Sequence, residues 1–391
     1  MEEIISSVVN YSNLFSEIRE RTLELVRSLQ KEDMVVQPVV DVSPPKWHLG
    51  HTTWFFEEFV LSRIPGYKRF NEHMAFIFNS YYETVGRRVM RTDRGNLSRP
   101  GVDEVFSYRN HVDEAMSTFL AQHELSPELE NTLLIGLNHE QQHQELLLTD
   151  IKFILGHNPL FPNYGNQVIE DPSCSGNPGW LKIESGVYEI GFEGKGFHWD
   201  NEAARHKTYI QDFVISDRLV SNGEYLQFMQ DGGYADFNHW HMEGFAWVKE
   251  SSIRSPMYWH RIDGNWHHYT LNGLRPLDLD GPLKHVSYYE AYAFNEWNGT
   301  RLPTEAEWEV ASDRFKWGKR WEWTQSAYLP YPNFKKPDGA LGEYNGKFMV
   351  NQMVLRGGSV ATPTGHSRKT YRNFFHPHLQ WQYTGIRCVK Q

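Results

Sequence analysis

The chain is poor in cysteine: Cys174 and Cys388 are the only two in 391 residues. That excludes a disulfide framework and a thiolate-rich zinc site, and it points to a reducing compartment, so a cytoplasmic protein is expected. Long apolar runs are missing as well, and the opening Met1-Glu2-Glu3 lacks a leader's basic stretch, so no membrane association is expected. Basic clusters are absent too. The net charge of −10 argues against nonspecific binding to nucleic acid. What the chain does have is aromatic content, 15% with 14 Trp, suited to aromatic-lined pockets, cation-binding surfaces or a large core. Its length exceeds one ordinary core, and two domains are the default.

The most informative segment is His139-Glu140-Gln141-Gln142-His143, matched upstream by Trp47-His48-Leu49-Gly50-His51. Histidines four apart on a helix lie on one face about one turn apart, so both rings can reach the same point. Neutral imidazole is a ligand for zinc, iron or copper. The spacing also fits a zinc metalloprotease, in which Glu140 would be the general base. The alternative is two partly exposed histidines on a polar face. Leu133, Leu134, Leu137, Leu146, Leu148 and Ile151 make this a core helix, whose inward imidazoles would need partners.

Helical periodicity organises the first half. Leu14, Phe15, Ile18, Leu25 and Leu29 mark a helix over 12–30. Ser43-Pro44-Pro45 announces a second, on which Trp47, His51, Trp54 and Glu58 share a face. A third is expected over 103–123, with Val105, Tyr108, Val112, Met116 and Phe119 inward, and a fourth from Ser126-Pro127-Glu128 until Gly156 ends it. Four amphipathic helices suggest a bundle, and bundles build metal sites from inward residues of facing helices. His51 is then the best third ligand. His48 is only about 60° away on the helical wheel, so phase alone does not exclude it. The long connection over 63–102, carrying Tyr81, Tyr82, Arg87, Arg88, Arg91 and Arg94, reads as a functional loop. Its arginines can hold carboxylates and its tyrosines can donate protons.

Residues 160–178 are rich in Pro, Gly, Asn and Ser and read as a linker. Short alternating segments follow, at 186–191 and 208–215, separated by Gly- and Trp-rich loops. This half is a mixed, loop-rich α+β domain to which periodicity assigns no function. Its segments Ser221-Asn222-Gly223-Glu224-Tyr225-Leu226, Asp231-Gly232-Gly233-Tyr234, His285-Val286-Ser287-Tyr288-Tyr289-Glu290-Ala291, Arg301-Leu302-Pro303-Thr304-Glu305-Ala306-Glu307-Trp308-Glu309, Trp321-Glu322-Trp323-Thr324 and Leu355-Arg356-Gly357-Gly358-Ser359 resemble the formylglycine-generating-enzyme (sulfatase-modifying factor) fold, a C-type-lectin-like domain. The first half resembles a DinB-like bundle. Together they look like the iron-dependent sulfoxide synthases of ergothioneine biosynthesis, EgtB, and the related ovothiol enzymes, OvoA.

The resemblance implies an α+β protein: a DinB-like four-helix bundle over 1–165, then a formylglycine-generating-enzyme-type domain over 175–391. It implies a non-heme Fe(II) site of His51, His139 and His143, and this match selects His51 over His48. Glu140, about 100° around the helix from His139, then points away from the metal. The implied substrates are hercynine (N-alpha-trimethylhistidine), cysteine and O2. Gln142 matches a position contacting the histidine-derived substrate, and Tyr344 fits a substrate-contacting tyrosine. Asn373 and Phe374 would flank the trimethylammonium group, with Phe374 alternatively an ordinary core residue. Arg88 and Arg91 match an Arg-x-x-Arg spacing that holds the thiol's carboxylate, and the Tyr81-Tyr82 pair supplies the acidic hydroxyl.

In the best-known EgtB subgroup an Asp and an Arg read the glutamyl part of γ-glutamylcysteine. Phe375 and Leu379 stand there in this chain, so free cysteine is the expected thiol. The two cysteines do not reproduce the catalytic pair of formylglycine-generating enzymes. An OvoA-like histidine/cysteine enzyme, a selenium-transferring relative and a non-enzymatic lectin-like binding protein are the competing readings. The histidine set argues against the last, since a pure binding module has no need of an open metal site.

Overall fold

A computed structural model describes residues 10–80, 86–165, 174, 176–336 and 345–391. The chain divides into two compact units, Met1–Ile154 and Leu155–Gln391. No helix among the described residues is long and apolar enough to cross a membrane.

The first unit is helical. Helix α1 spans Tyr11–Val26 and is capped by Asn10, whose side chain accepts from the Asn13 N–H at 3.1 Å. It stops short of residue 30. Leu29 continues the period in sequence but sits on a turn whose N–H reaches the Val26 carbonyl at 3.1 Å. Helix α2 spans Pro45–Phe59 and begins with proline in its first turn, where a missing N–H costs nothing. The following connection contains a short helix α3, His73–Phe78, and a 3₁₀ turn at Arg91–Asn96. Helix α4 runs over Val102–Gln122, and the five positions expected to face inward are all buried on it. Helix α5 runs over Pro127–Gly156, with the Ser126 hydroxyl accepting from the Leu129 N–H at 3.3 Å.

A buried polar knot ties the four long helices together. Glu140 on α5 accepts from Arg19 of α1 (2.9 Å), Arg109 of α4 (2.6 Å) and Thr22 (2.6 Å). Arg19 also donates to Thr53 of α2 at 2.9 Å. Burial alone would raise the Glu140 carboxyl, but Arg109 and Arg19 hold it at about 2. Removing one partner of such a knot would strand a buried charge.

The second unit is sheet-rich. One four-stranded antiparallel sheet orders Trp180–Ile183, Phe213–Ser216, Val389–Lys390 and Thr300–Arg301. Another orders Asn373–Phe375, Met353–Gly357, Trp321–Ala327 and Thr384–Gly385, the last pair parallel. The alternating segment 208–215, read from sequence as one piece, is broken at Gln211-Asp212. Its first part ends strand His206–Ile210, paired with Gly186–Ile190, and its second part belongs to the first sheet. Polar residues at the break let the chain turn from one sheet to the next. Ile183, Ile190, Ile210, Phe213, Ile215 and Val389 form a common core between these elements.

Helices α6 (Asn222–Gln230), α7 (Met242–Glu250), α8 (Tyr288–Asn298) and α9 (Glu305–Ala311) complete the unit. Three motif segments quoted above turn out to be helix starts. Ser221 with Glu224, Ser287 with Glu290, and Thr304 with Glu307 each form a reciprocal capping box. Arginines also recur as buried anchors: Arg387 grips Glu322 at 2.6 and 2.8 Å, and Arg372 grips Glu305 at 2.8 and 3.0 Å. Much of what makes this half recognisable is therefore the chemistry of closing a loop-rich fold.

Candidate metal centre

His51 projects from α2, and His139 and His143 from one face of α5. One ligand nitrogen from each lies within 4.8 Å of the others, and all three residues are buried. The ring centroids are 4.9 Å apart for His51 and His139, 4.7 Å for His51 and His143, and 4.6 Å for His139 and His143.

Each ring is oriented by its surroundings. His51 is stacked between Trp47 at 4.5 Å and Trp54 at 5.5 Å, both nearly parallel to it at 16°. These are the residues four before and three after it on α2, so the helix itself builds the clamp. The His51 Nδ1 lies 2.7 Å from the Phe78 carbonyl at the end of α3. A carbonyl only accepts, so Nδ1 carries the proton and the buried Nε2, which has no hydrogen-bond partner, presents its lone pair.

Burial, followed by the neighbouring His139, pushes the His51 ring well below its ordinary value despite the Phe78 carbonyl. Burial likewise lowers His139 to about 3, against the opposing pull of Glu140. His143 is lowered well below its ordinary value by burial and then by His139 and His51. All three are therefore neutral near pH 7, the state in which imidazole binds a metal. A buried cluster of three bases that cannot be protonated together suits a metal cation at its centre. The donor set and orphaned nitrogen fit a divalent transition metal, iron among them.

The remaining residues singled out from sequence are distributed as follows. Glu140 is locked in the polar knot by Arg19 and Arg109, so it is not poised as a protease base. Gln142 is half-buried beside His143. Arg88 is half-buried and donates to the Ser80 carbonyl at 2.9 Å, while Arg91 is exposed and donates to the Asp41 carbonyl at 2.6 Å. Arg94, named only as part of the loop, is the buried one. Its guanidinium lies 3.4 Å over the Trp47 ring and donates to the Ser43 and Ser80 hydroxyls at 2.8 and 2.9 Å. It thus braces the same tryptophan that stacks on His51. Tyr81, Tyr82 and Tyr344 lie outside the described residues.

In the second unit, Asn373 and Phe374 are half-buried on the strand Asn373–Phe375. Phe374 stacks on Tyr328 at 4.0 Å and 11°. Its neighbour Phe375 is half-buried and Leu379 is buried.

Two contributors were missed in sequence. Phe78 acts through its backbone carbonyl, which no side-chain motif reports. Asp150 accepts a hydrogen bond from the Ser43 N–H at 2.9 Å and lies 3.0 Å from His48 Nε2, while His48 Nδ1 lies 2.9 Å from His143 Nδ1. A signal for Asp150 existed: it is seven residues after His143, two turns on along the same face of the helix.

The helical unit with its buried histidine cluster and the sheet-rich unit both have counterparts among known families. Residues 167–320 and 316–391 match the sulfatase-modifying factor enzyme 1-like domain, and residues 14–147 match the DinB superfamily. The chain belongs to the sulfatase-modifying factor enzyme 1-like family, with a DinB-type region ahead of that domain. Among individual relatives, it is 27% identical over 309 residues to the hercynine oxygenase of Mycolicibacterium smegmatis, covering 65% of this chain and 70% of that protein. It is 29% identical over 233 residues to ergothioneine biosynthesis protein 1 of Schizosaccharomyces pombe, covering 50% of this chain but only 28% of that protein. Against the formylglycine-generating enzyme of Bos taurus it is 30% identical over 158 residues, 36% of this chain and 42% of that protein.

Proposed function

We propose that this chain is a non-heme Fe(II), O2-dependent sulfoxide synthase that joins cysteine to hercynine in ergothioneine biosynthesis. The observation that carries the reading is the convergence of His51, His139 and His143 within 4.8 Å in a buried site, in a chain whose relatives include hercynine oxygenases. Fe(II) held by these three neutral ligands would supply O2 activation and a seat for the thiolate. The protein's own part is orientation and proton control. Trp47, Trp54 and the Phe78 carbonyl hold His51 with Nε2 inward. Glu140, ionised but tied to Arg19 and Arg109, is not free to act as the base that hydrolytic metal chemistry needs.

The substrate roles follow from the resemblance. Arg88 and Arg91 would take the cysteine carboxylate, and Gln142 and Tyr344 would contact hercynine. Asn373 and Phe374 would meet its trimethylammonium group, with the aromatic face contributing ~0.5–2 kcal/mol. Tyr81 or Tyr82 would donate the proton that steers the reaction to C–S bond formation.

Anaerobic reconstitution with Fe(II), followed by mass spectrometry of reactions containing hercynine, cysteine and O2, tests the reading. The expected product is the hercynylcysteine sulfoxide, with iron content falling sharply in His51→Ala. Full iron occupancy in that variant, or no sulfoxide from the reconstituted wild type, overturns it. Preference for histidine over hercynine would move the chain to the OvoA-like group. Phe at whichever of Tyr81 and Tyr82 donates should retain iron and shift product towards cysteine sulfinic acid. An unchanged product ratio in both variants would make Tyr344 the next residue to test.

A further inference from the structure

His48 is buried at 2% exposure and Asp150 at 3%, and neither belongs to the histidine triad. Yet they form a chain that ends on it. Asp150 Oδ2 accepts the Ser43 N–H at 2.9 Å and lies 3.0 Å from His48 Nε2. On the other side of that ring, His48 Nδ1 lies 2.9 Å from Nδ1 of His143. Two ring nitrogens at this distance share one proton, and the order of donors along the chain decides which ring owns it.

Because Asp150 Oδ2 already serves a backbone donor, it is an acceptor towards His48 as well, and His48 Nε2 carries the hydrogen. With its hydrogen at Nε2, His48 offers Nδ1 as the acceptor, so the shared proton is assigned to His143 Nδ1. His143 is left with its lone pair at Nε2. The opposite order, with His48 donating at both nitrogens, would put a hydrogen on His143 Nε2 and close that ring to a metal.

We propose that His48, held by Asp150, is a positioning residue for His143, accepting its Nδ1–H and so leaving Nε2 as the metal-facing nitrogen. This rests on the metal reading given above. It makes the centre symmetric in design, because the Phe78 carbonyl does for His51 what the Asp150–His48 pair does for His143. It also gives a role to the histidine that helical phase could not separate from His51: both face the cluster, one inward to the metal and one behind a ligand.

The test uses the full chain with ¹⁵N-labelled histidine. In the metal-free wild type, long-range ¹H–¹⁵N correlation should show His143 as the Nδ1–H tautomer. His48→Asn places an amide oxygen near the position of the His48 Nδ1 and should keep that tautomer. His48→Leu removes the acceptor and should shift the population towards Nε2–H. In anaerobic titrations with Fe(II), His48→Leu should bind about 10–100-fold more weakly, and His48→Asn should recover most of the loss.

An Nε2–H tautomer in the wild type overturns the proposal. So does wild-type affinity in a folded His48→Leu, or equal weakness in both variants. If His48→Leu fails to fold, the wild-type spectrum and the Asn variant still decide. A wild type that shows the Nδ1–H tautomer but binds no Fe(II) would overturn the iron assignment itself and leave the hydrogen-bond order standing, so the two failures are distinguishable.

Discussion

His366 and Glu140 show two ways in which this chain buries a titratable residue. Glu140 keeps its charge because two guanidiniums outweigh desolvation. His366 has no such partner: burial, then Arg368, lowers it from 6.5 to about 3, and its Nδ1 is buried without a hydrogen bond. Folded protein therefore keeps His366 neutral where the unfolded chain takes up a proton. Between pH 6.5 and 3 the unfolded state binds more protons, so stability is fully present above 6.5 and falls as pH drops. The loss from this one residue amounts to roughly 2 kcal/mol between pH 7 and pH 5. His366→Gln should flatten the dependence of the urea midpoint on pH over that interval by a comparable amount. An unchanged slope would show that other groups carry the acid sensitivity.

Among the elements, α2 does the most to build the centre. It carries the Trp47–His51–Trp54 clamp, and Gly50 lets α3 approach closely enough for Phe78 to offer its carbonyl. A Cβ at Gly50 would overlap the Phe78 ring, which is itself buried. On α5, a Cβ at Gly136 would lie 2.8 Å from both Phe55 and Phe56 of α2. Alanine is a better helix former than glycine by about 1 kcal/mol. Even so, Gly50→Ala should destabilise the protein by about 1–3 kcal/mol, because overpacking costs more than propensity returns. Since Phe78 holds His51 Nδ1, iron affinity should fall with it. Thermal unfolding together with anaerobic iron titration checks both. A stabilised variant with full iron affinity would show that Phe78 moves aside without disturbing His51.

The existence of these helices was legible in the sequence, because their apolar period and their start signals agree. Pro45 and Ser126-Pro127 mark helix starts as local chemistry dictates. The end of α1 was not legible. Leu29 fits the period by sequence but lies beyond the last helical residue, with its N–H bonded to the Val26 carbonyl three residues back, a difference that periodicity does not report. The break at Gln211-Asp212 was hidden for a related reason: alternation reports which side is buried, not which sheet it faces.

At the scale of the whole molecule, chemistry-bearing residues are divided between a helical unit that carries every histidine of the triad and a sheet-rich unit that carries Asn373, Phe374, Phe375 and Leu379. Half-buried Phe375 and buried Leu379 offer no charge to a glutamyl group. Cysteine should therefore outcompete γ-glutamylcysteine in kcat/KM by about tenfold or more, the equivalent of one charge-assisted hydrogen bond, with hercynine saturating. Preference for the peptide would show that another segment reads the glutamyl carboxylate.

By itself the sequence determined that the chain pairs a helical half with a loop-rich α+β half, because period, caps and capping-box motifs are local properties. It also determined that two histidines share a face of α5, since four residues on a helix is a fixed rotation. Helical phase left open which α2 histidine meets them, the family resemblance pointed to His51, and how that ring is held was decided by tertiary structure. His48 and His51 differ by about 60° in phase, too little to exclude either from one side of a helix. Trp47 and Trp54 clamp the His51 ring from its own helix, but the deciding partners lie far away in sequence: the Phe78 carbonyl sets the tautomer of His51, and Asp150 engages His48. A hydrogen bond to a distant backbone carbonyl leaves no trace in side-chain spacing, so the ring's orientation became readable only once the chain had folded.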